Sequence, residues 1–158
     1  MKHTIIVFAA LIGFALAPSD APAQGSESEL DAARAELQAG RDQIIREDLQ
    51  LSEDLLAAFW PVYEEYVAEI SVLRDRKTRL VQDFMQAYRG GEFTDDFAEF
   101  IIKENFALKS EWAAIQKSYI ERFKAVMPVQ MVARFYQLEN KLDAEVDAQL
   151  ALVIPLVE

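Results

Sequence analysis

Two adjacent glycines, Gly90 and Gly91, separate two long stretches in which apolar residues recur every three or four positions. This spacing indicates one face of an α-helix, whereas the alternation typical of a β-strand is not sustained. Ser52 and Thr94 precede the two stretches as N-cap residues, and two acidic residues follow each of them. Because a short connection makes two helices antiparallel neighbours, the pattern predicts an all-α protein built on a long helical hairpin.

The hairpin helices are predicted from about Ser52 to Arg89 and from about Thr94 to Ala125. At about 1.5 Å per residue the first would be roughly 55 Å long, so we expect an elongated molecule. Pro61 is expected either to kink this first helix or to mark a short initial turn. The apolar stripes are Leu56, Phe59, Tyr63, Tyr66, Ile70, Leu73, Leu80, Phe84 and Tyr88 in the first helix, and Phe97, Ile101, Leu108, Trp112, Ile115, Tyr119 and Phe123 in the second.

A further helix is predicted on each side of the hairpin, which makes four helices. The first, from about Glu29 to Arg46 with Ser28 as its N-cap, is acidic and poor in large apolar residues, so we expect it to be loosely attached. The last runs towards Leu150. Its start is marked by Pro128 at the first helical position and Gln130 at the third, where the amide can reach back to the cap.

The N-terminal residues have the three parts of a secretory signal peptide. A basic Lys2-His3 pair precedes an uninterrupted apolar run over residues 5–17, and Ala21-Pro22-Ala23 has the form of a cleavage site. The apolar run is shorter than the roughly 20 residues that span a membrane. We therefore expect a signal peptide over residues 1–23, cleavage near Ala23, and a periplasmic or secreted protein without stable membrane insertion.

The predicted mature chain divides into an acidic helical segment (24–50), a hairpin domain (51–150) and an apolar tail (151–158). The net charge of −11 disfavours nucleic-acid partners, because an acidic chain repels phosphates. The mature chain has no histidine or cysteine and no phosphate-binding or nucleophile motif, so we predict no enzyme activity, no cofactor and no metal site. Glu65 and Glu69, one helical turn apart, could hold a hard cation weakly, but a solvated acidic face is the favoured interpretation.

Two helix starts carry a resemblance to a known family. Leu51-Ser52-Glu53-Asp54-Leu55, preceded by Leu49, and Val126-Met127-Pro128-Val129-Gln130 resemble the two LTxxQ-type motifs of the Spy/CpxP family of periplasmic proteins. Serine replaces threonine in the first motif and methionine replaces it in the second. The resemblance covers roughly residues 47–145.

This resemblance implies dimers of helical hairpins that hold unfolding proteins without ATP. We therefore expect a homodimeric periplasmic chaperone whose partners are partly unfolded proteins. The alternative is an envelope-stress adaptor that binds a sensor domain, and a third possibility is a structural helical interaction protein. Many aromatic residues are difficult to bury in one thin layer of helices. This also favours association of two copies of the chain.

A second stripe on the third helix is the candidate binding surface. It combines apolar side chains with lysines and suits a partner that is apolar and locally anionic. Binding of clients, dimerisation and burial against the fourth helix all remain open. The residues are Ile102, Phe106, Lys109, Ala113, Lys117, Ile120 and Lys124.

Charged residues on the first hairpin helix give two further predictions. Arg76 and Arg79 either extend the cationic surface or are merely solvated. Lys77 lies in the centre of an apolar stripe, opposite the region of Glu104 in an antiparallel hairpin. We predict that Lys77 and Glu104 pair and fix the hairpin register.

Overall fold

The computed structural model describes residues 23–157, so the predicted signal peptide lies outside the described residues except for Ala23. The described chain is 90% helical and contains no strand, which confirms the all-α fold. Its helices are α1 (Ala23–Leu49), α2 (Glu53–Gly90), α3 (Asp95–Val126) and α4 (Val129–Val153). In the part of the chain described here, no helix has the length and apolarity needed to cross a membrane.

The described residues form two compact units. The hairpin unit contains α2, α3 and the first turn of α4, as residues 51–133, together with residues 156 and 157. The α1–α4 unit contains residues 23–50 and 134–155.

Local signals set the ends of the hairpin helices. The Ser52 hydroxyl accepts a hydrogen bond from the N–H of Leu55 at 3.4 Å, and the Thr94 hydroxyl accepts one from Phe97 at 3.2 Å. Both are N-cap bonds that satisfy an otherwise unpaired backbone donor. Gly91 ends α2 in the left-handed region at φ 67°, a conformation that glycine adopts without a side-chain clash. These caps place the turn where the sequence predicts it.

Aromatic packing holds α2 against α3. The Phe59 and Phe123 rings stack with centroids 5.5 Å apart, and the Tyr66 and Tyr119 rings meet edge to face at 5.4 Å. Because residues later in α2 meet residues earlier in α3, the helices are antiparallel. Burial of each large side chain contributes about 1.5–3 kcal/mol. The buried apolar residues of this pair are Phe59, Tyr63, Tyr66, Ile70, Leu73, Phe84, Met85, Leu108, Tyr119 and Phe123.

The α1–α4 unit is a second antiparallel helix pair. Arg134 Nε donates to the backbone carbonyl oxygen of Asp48 at 2.7 Å, near the end of α1. Arg41, earlier in α1, pairs with Glu139 and Asp143, later in α4. The helix also starts at Ala23, before the predicted cap Ser28. The expectation of a loosely attached α1 is therefore wrong for its second half, since a long-range ion pair supplies the attachment that its composition does not indicate.

The start of α4 differs from the prediction by one residue. The carbonyl oxygen of Pro128 accepts hydrogen bonds from the N–H groups of Met131 at 2.8 Å and Val132 at 3.1 Å. Pro128 is therefore the cap residue, helix α4 begins at Val129, and Gln130 is its second residue instead of its third. The predicted N1 and N3 positions are wrong because α3 ends later than expected, with Met127 extended at φ −152° as its C-cap.

Candidate binding surface on α3

The second apolar stripe of α3 is exposed along its whole length. We use the name α3 stripe for Ile102, Phe106, Lys109, Ala113, Lys117, Ile120 and Lys124, all of which are exposed. The exposed fractions of the large apolar side chains are 58% for Ile102, 66% for Phe106 and 37% for Ile120. The stripe is therefore open to solvent within the hairpin unit.

Lysines lie among these apolar side chains. Lys109 Nζ lies 5.7 Å from the centre of the Phe106 ring, within the range of a cation–π contact. Lys124 pairs with Glu121 in the preceding turn at 2.8 Å. Lys117 makes no ion pair with any residue between 23 and 157 that the structure describes. The stripe thus offers apolar groups with at least one cation whose charge is not neutralised by a neighbour.

The side of α3 opposite the α3 stripe is joined to α2 by a hydrogen bond and an ion pair. The Tyr119 hydroxyl donates to Glu69 Oε1 at 2.6 Å, and Arg122 pairs with Glu65. The Arg122 guanidinium also lies 4.6 Å from the centre of the Tyr119 ring. Burial, assisted by the hydrogen bond to Glu69, raises the pKa of Tyr119 to about 12. These contacts hold the helix that carries the stripe in a fixed orientation on α2.

The same contacts bear on the weak cation site considered at Glu65 and Glu69. Each of the two carboxylates has a partner on α3, namely Arg122 and Tyr119. Within residues 23–157 the structure contains no group of three or more histidine, cysteine, aspartate or glutamate side chains suited to a metal ion. Both carboxylates are exposed, in agreement with the favoured interpretation of a solvated acidic face, and each also contacts α3.

Arg76 joins α2 to α3 and does not extend a free cationic surface. It donates two hydrogen bonds to Glu104, at 2.7 and 3.1 Å, and one to Glu111 at 2.5 Å. The hydrogen bonds to Glu111 and then Glu104 raise the pKa of Arg76. The cation that the structure places on Glu104 is thus Arg76, one residue before the predicted Lys77, while Lys77 is half-buried. Arg79 is exposed, as a solvated side chain would be.

Two sets of interacting residues were missed by the sequence reasoning. Arg74 lies 5.6 Å from the centre of the Trp112 ring, and Arg41 lies buried with Glu139. Glu104 and Glu111 are two helical turns apart on one face, a spacing that could have indicated a shared cation. No comparable local pattern indicates the partners of Arg41, because Glu139 lies 98 and Asp143 lies 102 residues away.

Comparisons with known proteins give no relative. No family model matches the chain, and neither a curated protein nor a solved structure matches it.

Proposed function

We propose that this protein is an exported, ATP-independent chaperone of the Spy/CpxP type, which holds partly unfolded proteins on the α3 stripe. The exposure of the stripe carries the proposal: Phe106 and Ile102 are each more than half exposed on a helix whose other side is well packed. Exposed apolar groups arranged in a continuous patch are typical of binding surfaces. The motifs at Ser52 and Pro128 and the N-terminal export pattern support the same proposal.

The chemistry of the stripe favours weak and broad binding. Full burial of one large apolar side chain contributes about 1.5–3 kcal/mol, and a few such groups must offset the cost of association. The lysines add attraction for carboxylates near the apolar segment of a client. Clients with apolar segments flanked by acidic residues are therefore the preferred class.

The overall charge contributes to the proposed mechanism. The chain carries a net charge of −11, while the stripe itself is cationic. A bound client covers the stripe and leaves the acidic remainder of the surface facing solvent. Like-charged complexes repel one another, so a bound client stays in solution.

Light scattering of an aggregating model client, without ATP, tests the proposal. We expect the mature protein to suppress aggregation near stoichiometric amounts. The variant Phe106→Ser/Ile120→Ser should lose suppression, whereas Val72→Ser, which changes a 59% exposed side chain on α2, should retain it. Circular dichroism would show that all variants remain helical.

A charge series separates the role of the lysines from that of the apolar groups. Lys109→Glu/Lys117→Glu should weaken suppression for an acidic client more than for a basic one, and added salt should reduce this difference. Lys141→Glu, at an exposed position on α4, is the matched control. A folded protein that suppresses no aggregation would contradict the chaperone proposal. The adaptor function would then be tested by capture of a single folded partner with defined stoichiometry.

A further inference from the structure

Helix α1 packs against α4 in the α1–α4 unit, and we call this contact the seam. Among the α1 residues whose burial the structure describes, Ile45 and Leu49 are fully buried apolar side chains, and Arg41 is buried one turn before Ile45, with 4% of its surface exposed. These three residues follow one another at four-residue steps and share one face of the helix. These side chains therefore form one row of buried contacts along the seam.

The partners of Arg41 determine which kind of helix can pack at this place on α4. Arg41 Nη2 lies 3.0 Å from Glu139 Oε1 and 2.9 Å from Asp143 Oδ1, and Glu139 is 1% exposed. A buried carboxylate without a cation is strongly unfavourable. A helix that occupies this place on α4 must accordingly supply a cation at this position, followed by apolar residues one and two turns later.

The segment that joins α1 to α2 is strained at one residue. Gln50 has a φ of 51°, in the left-handed region that glycine or asparagine usually occupies after a helix. Gln50 is also the residue at which the division between the two compact units falls. Extension of the chain at Gln50 would relieve this strain and would separate α1 from its own α4.

From the seam and the strained connection we infer that α1 exchanges between two copies of this chain. In the exchanged dimer, Arg41 of one copy pairs with Glu139 and Asp143 of the other, and Ile45 and Leu49 enter the seam of that other copy. A second copy is the partner that fits, because it carries the same helix in the same spacing. This inference does not depend on the proposed chaperone activity.

The balance between closed and exchanged forms follows from their common seam. Both forms contain the same buried ion pairs and the same apolar contacts, so these contacts do not favour either form. Strain at Gln50 favours exchange, and the entropy lost on association favours the closed monomer. The exchanged form should therefore increase with protein concentration, and most readily after refolding at high concentration.

Charge reversal on opposite sides of the seam provides the test. Arg41→Glu alone and Glu139→Arg alone each place like charges together, both in a closed monomer and in a dimer of identical copies. In an exchanged dimer of the two variants, however, both seams contain one cation opposite an anion. The double variant Arg41→Glu/Glu139→Arg carries both changes in one chain. It shows how well the α1 amides are protected from hydrogen exchange when the reversed ion pair forms within a monomer.

We expect the two single variants, refolded together, to form a mixed dimer whose α1 amides are protected from hydrogen exchange as well as in the double variant. If the mixture behaves as the sum of its two components, with no mixed dimer and no added protection, the inference is wrong. If the α1 amides of the double variant are themselves unprotected from hydrogen exchange, cross-linking decides whether α1 exchanges between copies. The cross-linked chains keep Arg41, Glu139 and Asp143.

That second experiment uses the absence of native cysteine. One chain carries Asp48→Cys and the other Arg134→Cys, positions that contact each other across the seam. A short bismaleimide should join the two chains covalently if α1 is exchanged. Chains carrying Val72→Cys and Arg134→Cys serve as the control. Cross-linking at Asp48 no better than in this control would overturn the inference.

Substitutions at Gln50 should shift the equilibrium between the closed monomer and the exchanged dimer in opposite directions. Gln50→Gly removes the strain of the left-handed conformation, whereas Gln50→Val increases it because valine is β-branched. The dimer association constant should be about ten-fold or more higher for the valine variant than for the glycine variant. Equal association constants for the two would contradict a role for Gln50 as the hinge.

Discussion

Arg76 Nη2 lies 2.7 Å from Glu104 Oε1 and so joins α2 to α3 in the middle of the hairpin. The same guanidinium reaches Glu111, which lies two turns further along α3. A planar group with several donors can satisfy two carboxylates at once, whereas a lysine offers a single point of charge. The cation that bridges the two hairpin helices here is therefore Arg76, next to the lysine that the sequence pattern indicated.

Replacement of this arginine should destabilise the hairpin. Arg76→Met removes the shared cation and leaves Glu104 and Glu111 facing each other across two turns. We expect its thermal midpoint, followed by circular dichroism, to fall clearly below that of Arg79→Met, which changes an exposed neighbour. Equal midpoints for the two variants would mean that the bridge contributes nothing beyond a solvated charge.

Alkaline pH should weaken the hairpin through Tyr119. Its pKa is raised from 10.0 to about 12 in the folded state, so between these values the unfolded chain loses a proton that the folded chain retains. The stabilising contribution is complete below pH 10 and is lost as the pH rises towards 12.

The Tyr119 prediction is tested with Tyr119→Phe, in which the decline in unfolding midpoint above pH 10 should become shallower. Burial, with a smaller effect of Glu139, also raises the pKa of Tyr136 to about 12, so part of the decline should remain. Phenolate absorbance of the folded protein gives an independent readout. A phenylalanine variant with the same alkaline profile as the wild type would refute the assignment.

The buried arginine of the α1–α4 unit predicts a large local effect. Arg41→Ala leaves Glu139 buried without its cation, which should lower the free energy of opening α1 by about 3–5 kcal/mol. Hydrogen exchange of the α1 amides measures this opening directly. The double variant Arg41→Met/Glu139→Met removes both charges and should recover most of the loss. A loss of less than about 1 kcal/mol in Arg41→Ala would show that the carboxylates are satisfied without it.

Gly90 and Gly91 should respond to alanine in opposite directions. At Gly91 the φ of 67° strains any side chain, so Gly91→Ala should cost about 1 kcal/mol although the added carbon has open space. Gly90 is the last residue of α2, and its added carbon would meet only the Glu92 side chain at 3.8 Å. Gly90→Ala should therefore stabilise the hairpin by about 0.5 kcal/mol. Urea denaturation of both variants, beside the wild type, checks the two signs.

The amino-acid sequence by itself determined the parts of this protein that depend on neighbouring residues. Ser52 and Thr94 cap helices by accepting hydrogen bonds from backbone N–H groups three residues away. Gly91 ends α2 because glycine has no side chain that would clash in the left-handed conformation. Apolar residues at helical spacing determined which faces of α2 and α3 are buried. The exposed α3 stripe could be proposed as a binding surface for the same reason, since its spacing is a local property of one helix.

The tertiary structure alone decided the contacts between residues distant in the chain. Arg76 and Lys77 are adjacent cations, and only the rotation of α2 against α3 places Arg76 on Glu104. The seam between Arg41 and Glu139 joins helices at opposite ends of the described chain, and no short pattern specifies such a pair. Local spacing indicates which face of a helix is apolar, but the partner of that face depends on how complete helices pack.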